Sequence, residues 1–265
     1  MIYHIANNDS KAGLPRRSCN KFRSHHAMPE WKMTSSSRND LPAFTLAEVL
    51  ITLGIIGIVA ALTIPNLSKS WEEKAIISKY KKMYSTLATA FNMAIQEHGE
   101  PQYWDVPDKT SLLQIIEPYL NVSEKCYGKP GCISLGDYVS LTGEDRYGNL
   151  YYNTAYPKLR LNGGFGVALM YDFHPGCEYN VCVVINGTIN NKKGLDYKNR
   201  LGKDHFHFVL TKQGLFPDGY SVKDEDLKIA CNKTNLQADT LNKNTNGSFC
   251  GTWIQRFDNM DYLYK

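Results

Sequence analysis

The chain has no phosphate-binding loop, no glycine-rich dinucleotide fingerprint, no H-E-x-x-H and no hydrolase-type Ser-His-Asp pattern. Nucleotide hydrolysis, nicotinamide redox chemistry and zinc proteolysis therefore have no sequence support, because each needs those residue types at those spacings. None of the seven cysteines forms a C-x-x-C pair, so the matched thiolates of a structural zinc site are missing too. Nor is there a large charge imbalance: 30 Lys/Arg stand against 26 Asp/Glu. The whole excess lies in residues 1–43, with seven basic residues against three acids, and the rest of the chain holds 23 of each sign. A neutral main part leaves no electrostatic footprint for nucleic acid.

At 265 residues and 43% hydrophobic, the chain has material for one large domain or two small ones. The apolar residues are unevenly placed, because residues 46–64 read LAEVLITLGIIGIVAALTI. At about 1.5 Å per residue this run spans roughly the 30 Å hydrocarbon core of a bilayer. The basic flank ahead of it (Arg16, Arg17, Lys21, Arg23, Lys32 and Arg38 among others) predicts that the N-terminus stays cytoplasmic and everything after the span is exported. Cys19 lies in that flank, whereas Cys126, Cys132, Cys177, Cys182, Cys231 and Cys250 all follow the span. Six cysteines in an oxidising compartment favour a disulfide framework, with a zinc cluster as the rival reading, and allow fifteen connectivities. Local pairing is expected, Cys126 with Cys132, Cys177 with Cys182 and Cys231 with Cys250, since each pair is close in sequence and flanked by turn formers.

One residue in the span is out of place for lipid. Glu48 is a carboxylate inside an otherwise apolar run, and an intramembrane acid is a functional hypothesis that calls for a partner. The segment Leu41-Pro42-Ala43-Phe44-Thr45-Leu46-Ala47-Glu48 resembles the prepilin cleavage and methylation motif, in which a small residue precedes a phenylalanine and a glutamate follows four residues on. Ala43 stands where the family more usually has glycine. The resemblance implies that prepilin peptidase cuts between Ala43 and Phe44 and methylates the new Phe44 amine, and that Glu48 neutralises the Phe44 amine of an adjacent subunit on assembly. It also implies a helix proline near Pro65, which removes a backbone hydrogen bond and lets a rod bend. Met28 and Met33 are alternative starts, the latter leaving a leader of MTSSSRNDLPA. A plain signal anchor is the rival, but it has no use for Glu48, and Thr63-Ile64-Pro65 offers no small-x-small cleavage site.

Beyond the span, Ile76, Tyr80, Met83, Leu87, Ala90, Phe91 and Ala94 recur at three- and four-residue steps, the period of a helix with one apolar face. Gly99 and Pro101 stop it. One helix from Phe44 to about His98 is expected, with two helices broken at Pro65 as the alternative. A short helix over Thr110–Glu117 ends at Pro118. Phe165–Tyr171 and Tyr179–Ile185 read as a hairpin, and Asp204–Thr211 as a strand with His205 and His207 on one face and Phe206 and Phe208 on the other. The expected class is α+β: a long N-terminal helix, transmembrane in its N-terminal half, packed on a small antiparallel β-sheet head as in pilin-like proteins. The divisions are 1–43 leader, 44–65 span, 66–98 amphipathic helix and 99–265 exported head.

His174, His205 and His207 offer a weak metal reading, since exposed strand histidines are common. The acids Asp224, Glu225 and Asp226 read as a solvated turn or helix start. The loop from Asn186-Gly187-Thr188 to Gly202-Lys203-Asp204 resembles a Gly/Asn/Asp-rich loop of pilin-like proteins, some of which bind calcium. Asn186, Asn190, Asp196 and Asp204 offer oxygens for it, although Val184 and Ile185 stand where such loops often carry an acid and a solvated loop of turn formers is the simpler account. No other cofactor is expected. The tail Cys250-Gly251-Thr252-Trp253 through Tyr262 resembles C-terminal segments of type II secretion or prepilin-type proteins. The resemblance implies a non-enzymatic subunit of a type IV pilus or type II secretion pseudopilus, anchored in a bacterial inner membrane before entering an extracytoplasmic filament. Its partners would be other pilin or pseudopilin subunits, prepilin peptidase, and the assembly platform and ATPase. A membrane-anchored exported enzyme or ligand-binding domain is the second hypothesis.

Overall fold

A computed structural model describes residues 44–106, 108–144, 150, 152–170, 183–189, 197–211, 213–234 and 246–264. The chain divides into two units, Met1–Gly54 and Ile55–Lys265. The described part of the first carries the start of helix α1 (Leu46–His98). The helix is a single element with Pro65 inside it, so the expectation of one helix holds and the two-helix alternative does not. Pro65 cannot donate to the carbonyl one turn back. Ser68 Oγ in turn donates to the Pro65 carbonyl at 3.0 Å and Thr63 Oγ1 to that of Val59 at 2.9 Å.

In the second unit α1 has two characters. Ile55, Ile56, Ile58, Val59, Leu62, Ile64 and Leu67 are all exposed. From Ile76 onward the predicted face is buried: Tyr80, Met83, Leu87, Ala90 and Phe91 have no measurable exposure. Gly99 ends the helix in the left-handed region, φ 81°, donating its N–H back to Ile95 at 2.9 Å. Asp108 then caps α2 (Lys109–Ile116) by accepting from the Ser111 N–H at 2.7 Å. Leu112, Leu113 and Ile116 of α2 join the same core.

The partner of α1 is a six-stranded antiparallel sheet. Its strands are β1 (Val122–Cys126), β3 (Lys158–Leu161), β4 (Gly166–Met170), β5 (Val183–Thr188), β7 (His205–Thr211) and β8 (Gly214–Pro217), in the order β1-β3-β4-β5-β7-β8. Between them β2 (Tyr138–Val139) and β6 (Asn199–Arg200) form a separate parallel pair. The predicted hairpin is β4 with β5, in register from Gly166 against Thr188 to Met170 against Val184. Side chains alternate between the faces. Leu159, Leu161, Val167, Leu169, Ile185, Phe206, Phe208 and Leu210 belong to the core that α1 covers. Tyr80 lies 4.6 Å from the Phe206 ring and 5.9 Å from that of Phe208, and Tyr84 lies 5.8 Å from Phe208. Gly187 sits under the helix, where a Cβ would come within 2.7 Å of Met83 and 2.9 Å of Phe208.

The opposite face is buried as well, which the sequence reading missed. It carries His205, His207, Asn186, Thr188 and Lys158, all at 2% exposure or less. Its cover includes Ile133, Tyr138 and Leu150, which cluster with Met170. The histidines are therefore core residues, where exposed strand residues were expected. A second correction concerns Asn186-Gly187-Thr188, read as the start of a loop but continuing β5. An asparagine was read as a loop former, but here its amide nitrogen lies 3.1 Å from His205 Nδ1 within this polar layer.

The C-terminal segment is tied back to α1, where Glu73 accepts from the Met260 N–H at 2.7 Å and Lys81 bridges Asp258 at 2.6 Å. Helix α3 (Asp224–Ala230) opens on the three acids read as a helix start, and Arg256 of α4 (Cys250–Phe257) bridges Asp224 at 2.6 Å. Two of the expected disulfides are present, Cys126–Cys132 and Cys231–Cys250; Cys177 and Cys182 lie outside the described residues. Cys231–Cys250 closes 19 residues and Cys126–Cys132 six, so the chain-entropy model assigns them about 3 and about 2 kcal/mol respectively. The expected outcome is that Cys250→Ser with Cys231→Ser lowers the thermal midpoint of the exported head more than Cys126→Ser with Cys132→Ser. Equal losses by calorimetry would refute that order.

A second test follows from buried phenols. Burial holds Tyr80, Tyr138 and Tyr262 above the ordinary tyrosine pKa. Unfolded tyrosines ionise near pH 10 while these keep their protons. Their contribution to stability is thus complete below about pH 10 and is lost as pH rises beyond it. Phenolate absorbance should show one group titrating freely and a second group appearing only with loss of circular dichroism. Full titration of all phenols in a still-folded head would contradict this.

Candidate functional site

Of the residues singled out for processing and assembly, Phe44 and Glu48 stand at the start of α1 and Pro65 lies within it. Phe44 is 86% exposed and precedes the helix, while Ala43 lies outside the described residues. Thr45 and Glu48 form a reciprocal pair. Glu48 Oε2 accepts from the Thr45 N–H and from the Thr45 hydroxyl, both at 2.9 Å, and Thr45 Oγ1 accepts from the Glu48 N–H at 3.2 Å. This is a capping box: the first turn of a helix leaves N–H groups without partners, and a T-x-x-E spacing satisfies two of them at once. The carboxylate also lies at the positive end of the helix dipole. Sequence reasoning gave Glu48 only a partner on a neighbouring subunit. The structure supplies one within the chain, and the T-x-x-E spacing was its legible signal.

Glu48 Oε2 takes two donors, and a carboxylate has several acceptor sites. The capping arrangement therefore leaves acceptor capacity for an incoming cation. The neighbours on α1 that would enclose it, Leu46, Val49, Leu50, Ile51 and Leu53, are all exposed. The geometry is that of a polar tip on an apolar rod.

Of the calcium candidates, Asn186 and Asp204 are among the described residues. Asp204 is buried and organises its own loop, with Oδ1 accepting from the Tyr197 hydroxyl at 2.7 Å and Oδ2 from the Arg200 N–H at 3.0 Å. Burial and this bond raise the Tyr197 pKa. Asn186 lies in β5 against His205, and Asn190 and Asp196 lie outside the described residues. So does His174. His207 Nδ1 stands 4.0 Å from Asp218 Oδ2. Among the described residues the metal-donor cluster is Glu124, Cys126 and Cys132, whose two sulfurs are joined to each other.

Two further polar features were not read from the sequence. Lys158 is fully buried, donating from Nζ to the carbonyls of Leu150 at 3.1 Å and Asn153 at 2.6 Å, and burial pulls its pKa down to about 8. A shallow depression beside the end of α1 is lined by Glu97, His98, Asp105, Ser111 and Tyr119. There the Tyr119 hydroxyl donates to Glu97 at 2.5 Å and lies 3.4 Å from His98 Nε2. Glu97 and His98 are exposed, so water screens this acid–base group.

The chain was compared with models of protein families, with curated proteins and with solved structures, and none of the three gave a match.

The capping box generates a prediction that separates shape from charge. Thr45→Ala removes the cap and should destabilise the first turn by about 1 kcal/mol, visible as faster amide exchange at 46–50 in micelles. Glu48→Gln keeps an acceptor at the same position and should leave that exchange unchanged. Unaltered exchange in Thr45→Ala would show that the cap does not hold the turn.

Proposed function

We propose that this chain is a structural subunit of a pilin- or pseudopilin-class filament, made as a precursor and anchored in the membrane by α1 before assembly. The observation that carries the reading is one carboxylate, Glu48, at the capped tip of an apolar helix, directly after Ala43-Phe44. The same helix is exposed over its first half and buried against a disulfide-bonded α+β head over its second. A long apolar helix joined to disulfides suits an exported, membrane-anchored protein. The finer assignment, N-terminus in the cytoplasm of a bacterial inner membrane, rests on the basic flank.

In this scheme prepilin peptidase cleaves between Ala43 and Phe44 and methylates the Phe44 amine. The subunits are then extracted by a platform protein and an ATPase, and α1 packs among its neighbours in the filament. Glu48 has two roles, holding the Thr45 N–H within its own chain and receiving the Phe44 amine of an adjacent subunit. The second role removes a charge that an apolar bundle would otherwise bury alone. Pro65 and the missing bond behind it give the packed rod a point at which to yield. An exported enzyme or ligand-binding domain on the same anchor is the rival reading.

Two measurements test the proposal. Mass spectrometry of the mature N-terminal peptide should return N-methylated Phe44; a cut beyond Pro65, or an intact leader in cells with active prepilin peptidase, would remove the processing step. Glu48→Gln should be cleaved and inserted normally yet yield few sheared filaments, because it keeps the capping box and lacks only the charge. Equal filament yield and unchanged neighbour cross-links would leave Glu48 without an assembly role and favour a plain anchor.

A further inference from the structure

One face of α1 is turned away from the head. Ile64, Leu67, Trp71 and Lys74 recur at three- and four-residue steps and so lie along one side of the helix. Continuing the same steps reaches the exposed Ser78 and Ser85, opposite the buried Tyr80, Met83 and Leu87. On this side Ile64 is 61%, Leu67 59% and Trp71 68% exposed. An indole so open to solvent, on a helix whose other face is packed, has no cover from its own head.

Charge is divided between the same two sides. Glu72 bridges Lys203 of the head at 3.0 Å, and Glu73 accepts from the Met260 N–H at 2.7 Å. The acids of this stretch are thus engaged by the head, and the charge that follows Trp71 on the outer face is the exposed Lys74. Going up the outer face, the order is aliphatic, then tryptophan, then lysine. Tryptophan favours the headgroup level of a bilayer, with its ring in the apolar boundary and its N–H toward water, and lysine beside it reaches lipid phosphate. The spacing agrees. About twenty residues cross the hydrocarbon core; counted from Val49, just past Glu48, they end at Ser68, and Trp71 follows some 4.5 Å further along a helix.

We propose that Trp71, with Leu67 below it and Lys74 one turn above it, is a lipid-headgroup docking surface selective for anionic phospholipid, which fixes how deep the precursor sits on the exported side of the membrane; this rests on the membrane-anchor reading above. The apolar part of the surface continues the span, and Lys74 complements anionic headgroups. The surface holds the base of the head at the boundary through contacts distinct from those between head and helix.

The test uses the full-length precursor reconstituted in vesicles, with Trp71→Phe subtracted to isolate one indole from the others. Vesicles mix phosphatidylcholine and phosphatidylglycerol, with bromines near the top of the acyl chains of one lipid or the other. The expected result is a blue-shifted difference emission, quenched more strongly when the anionic lipid carries the bromines; Lys74→Gln should remove that preference and keep the quenching. Equal quenching by both lipids in the wild type would overturn the selectivity. A red, unquenched difference emission from protein that resists an alkaline carbonate wash would overturn the docking surface while the anchor stands. An indole shielded only at high protein-to-lipid ratio would assign the face to a second copy of the chain and overturn the proposal. Protein removed by the wash would overturn the anchor reading together with it.

Discussion

The head depends on one contact above others, the seat of α1 between Ile76 and Ala94 on the sheet. Tyr80 is its centre: its ring meets Phe206 and Phe208 on one side, and Gly251 of α4 lies so close that a Cβ there would stand 2.9 Å from the hydroxyl. Aromatic pairs at such separations add to area burial, and a gap here would cost contacts on three elements at once. Gly187 in β5 has no side chain for the same reason. The helix that ties the protein to lipid is therefore also the core of its folded head, and no element of the sheet's inner face is complete without it.

Much of this was legible. The seven apolar positions from Ile76 to Ala94 named a buried face with no error, because a helix on a sheet enforces a strict period and the alternative faces are rich in lysine. The alternation of His205, Phe206, His207 and Phe208 gave β7 its two sides. Two short-range cysteine pairs were readable from proximity. The capping box stood in plain view as Thr45-Leu46-Ala47-Glu48 but was overlooked, since an acid in an apolar run suggests a remote partner before a local one.

What could not be read was the second buried face. A sheet covered on one side only should show polar residues on the other, and His205, His207, Asn186, Thr188 and Lys158 fit that expectation. Their burial under Tyr138, Ile133 and the β2–β6 pair comes from long-range closure, with Tyr138 beside Asn199, which no local pattern encodes. Polar residues are tolerated there because they bond one another: Tyr138 with Thr188 at 3.2 Å, Asn186 with His205, Lys158 with two carbonyls. Composition alone does not distinguish such a layer from a wet surface. Asp204, one of the residues named for a calcium loop, is likewise polar and buried, and staples its own turn.

The clasp between the two ends of the head has a consequence for how the protein is made. Glu73 holds the Met260 N–H, Lys81 bridges Asp258 at 2.6 Å, and Gly251 abuts Tyr80, so the first segment of the head to be synthesised is closed by the last. Until roughly the final fifteen residues exist, Glu73, Lys81 and the side of Tyr80 that Gly251 abuts lack their partners, and contacts across such a separation form late. A nascent chain therefore keeps the Glu73–Lys81 stretch of α1 incompletely covered until its synthesis is almost over, the state in which a partly folded chain is prone to associate. Truncation near the C-terminus is for this reason expected to uncover the oldest part of the head rather than the newest.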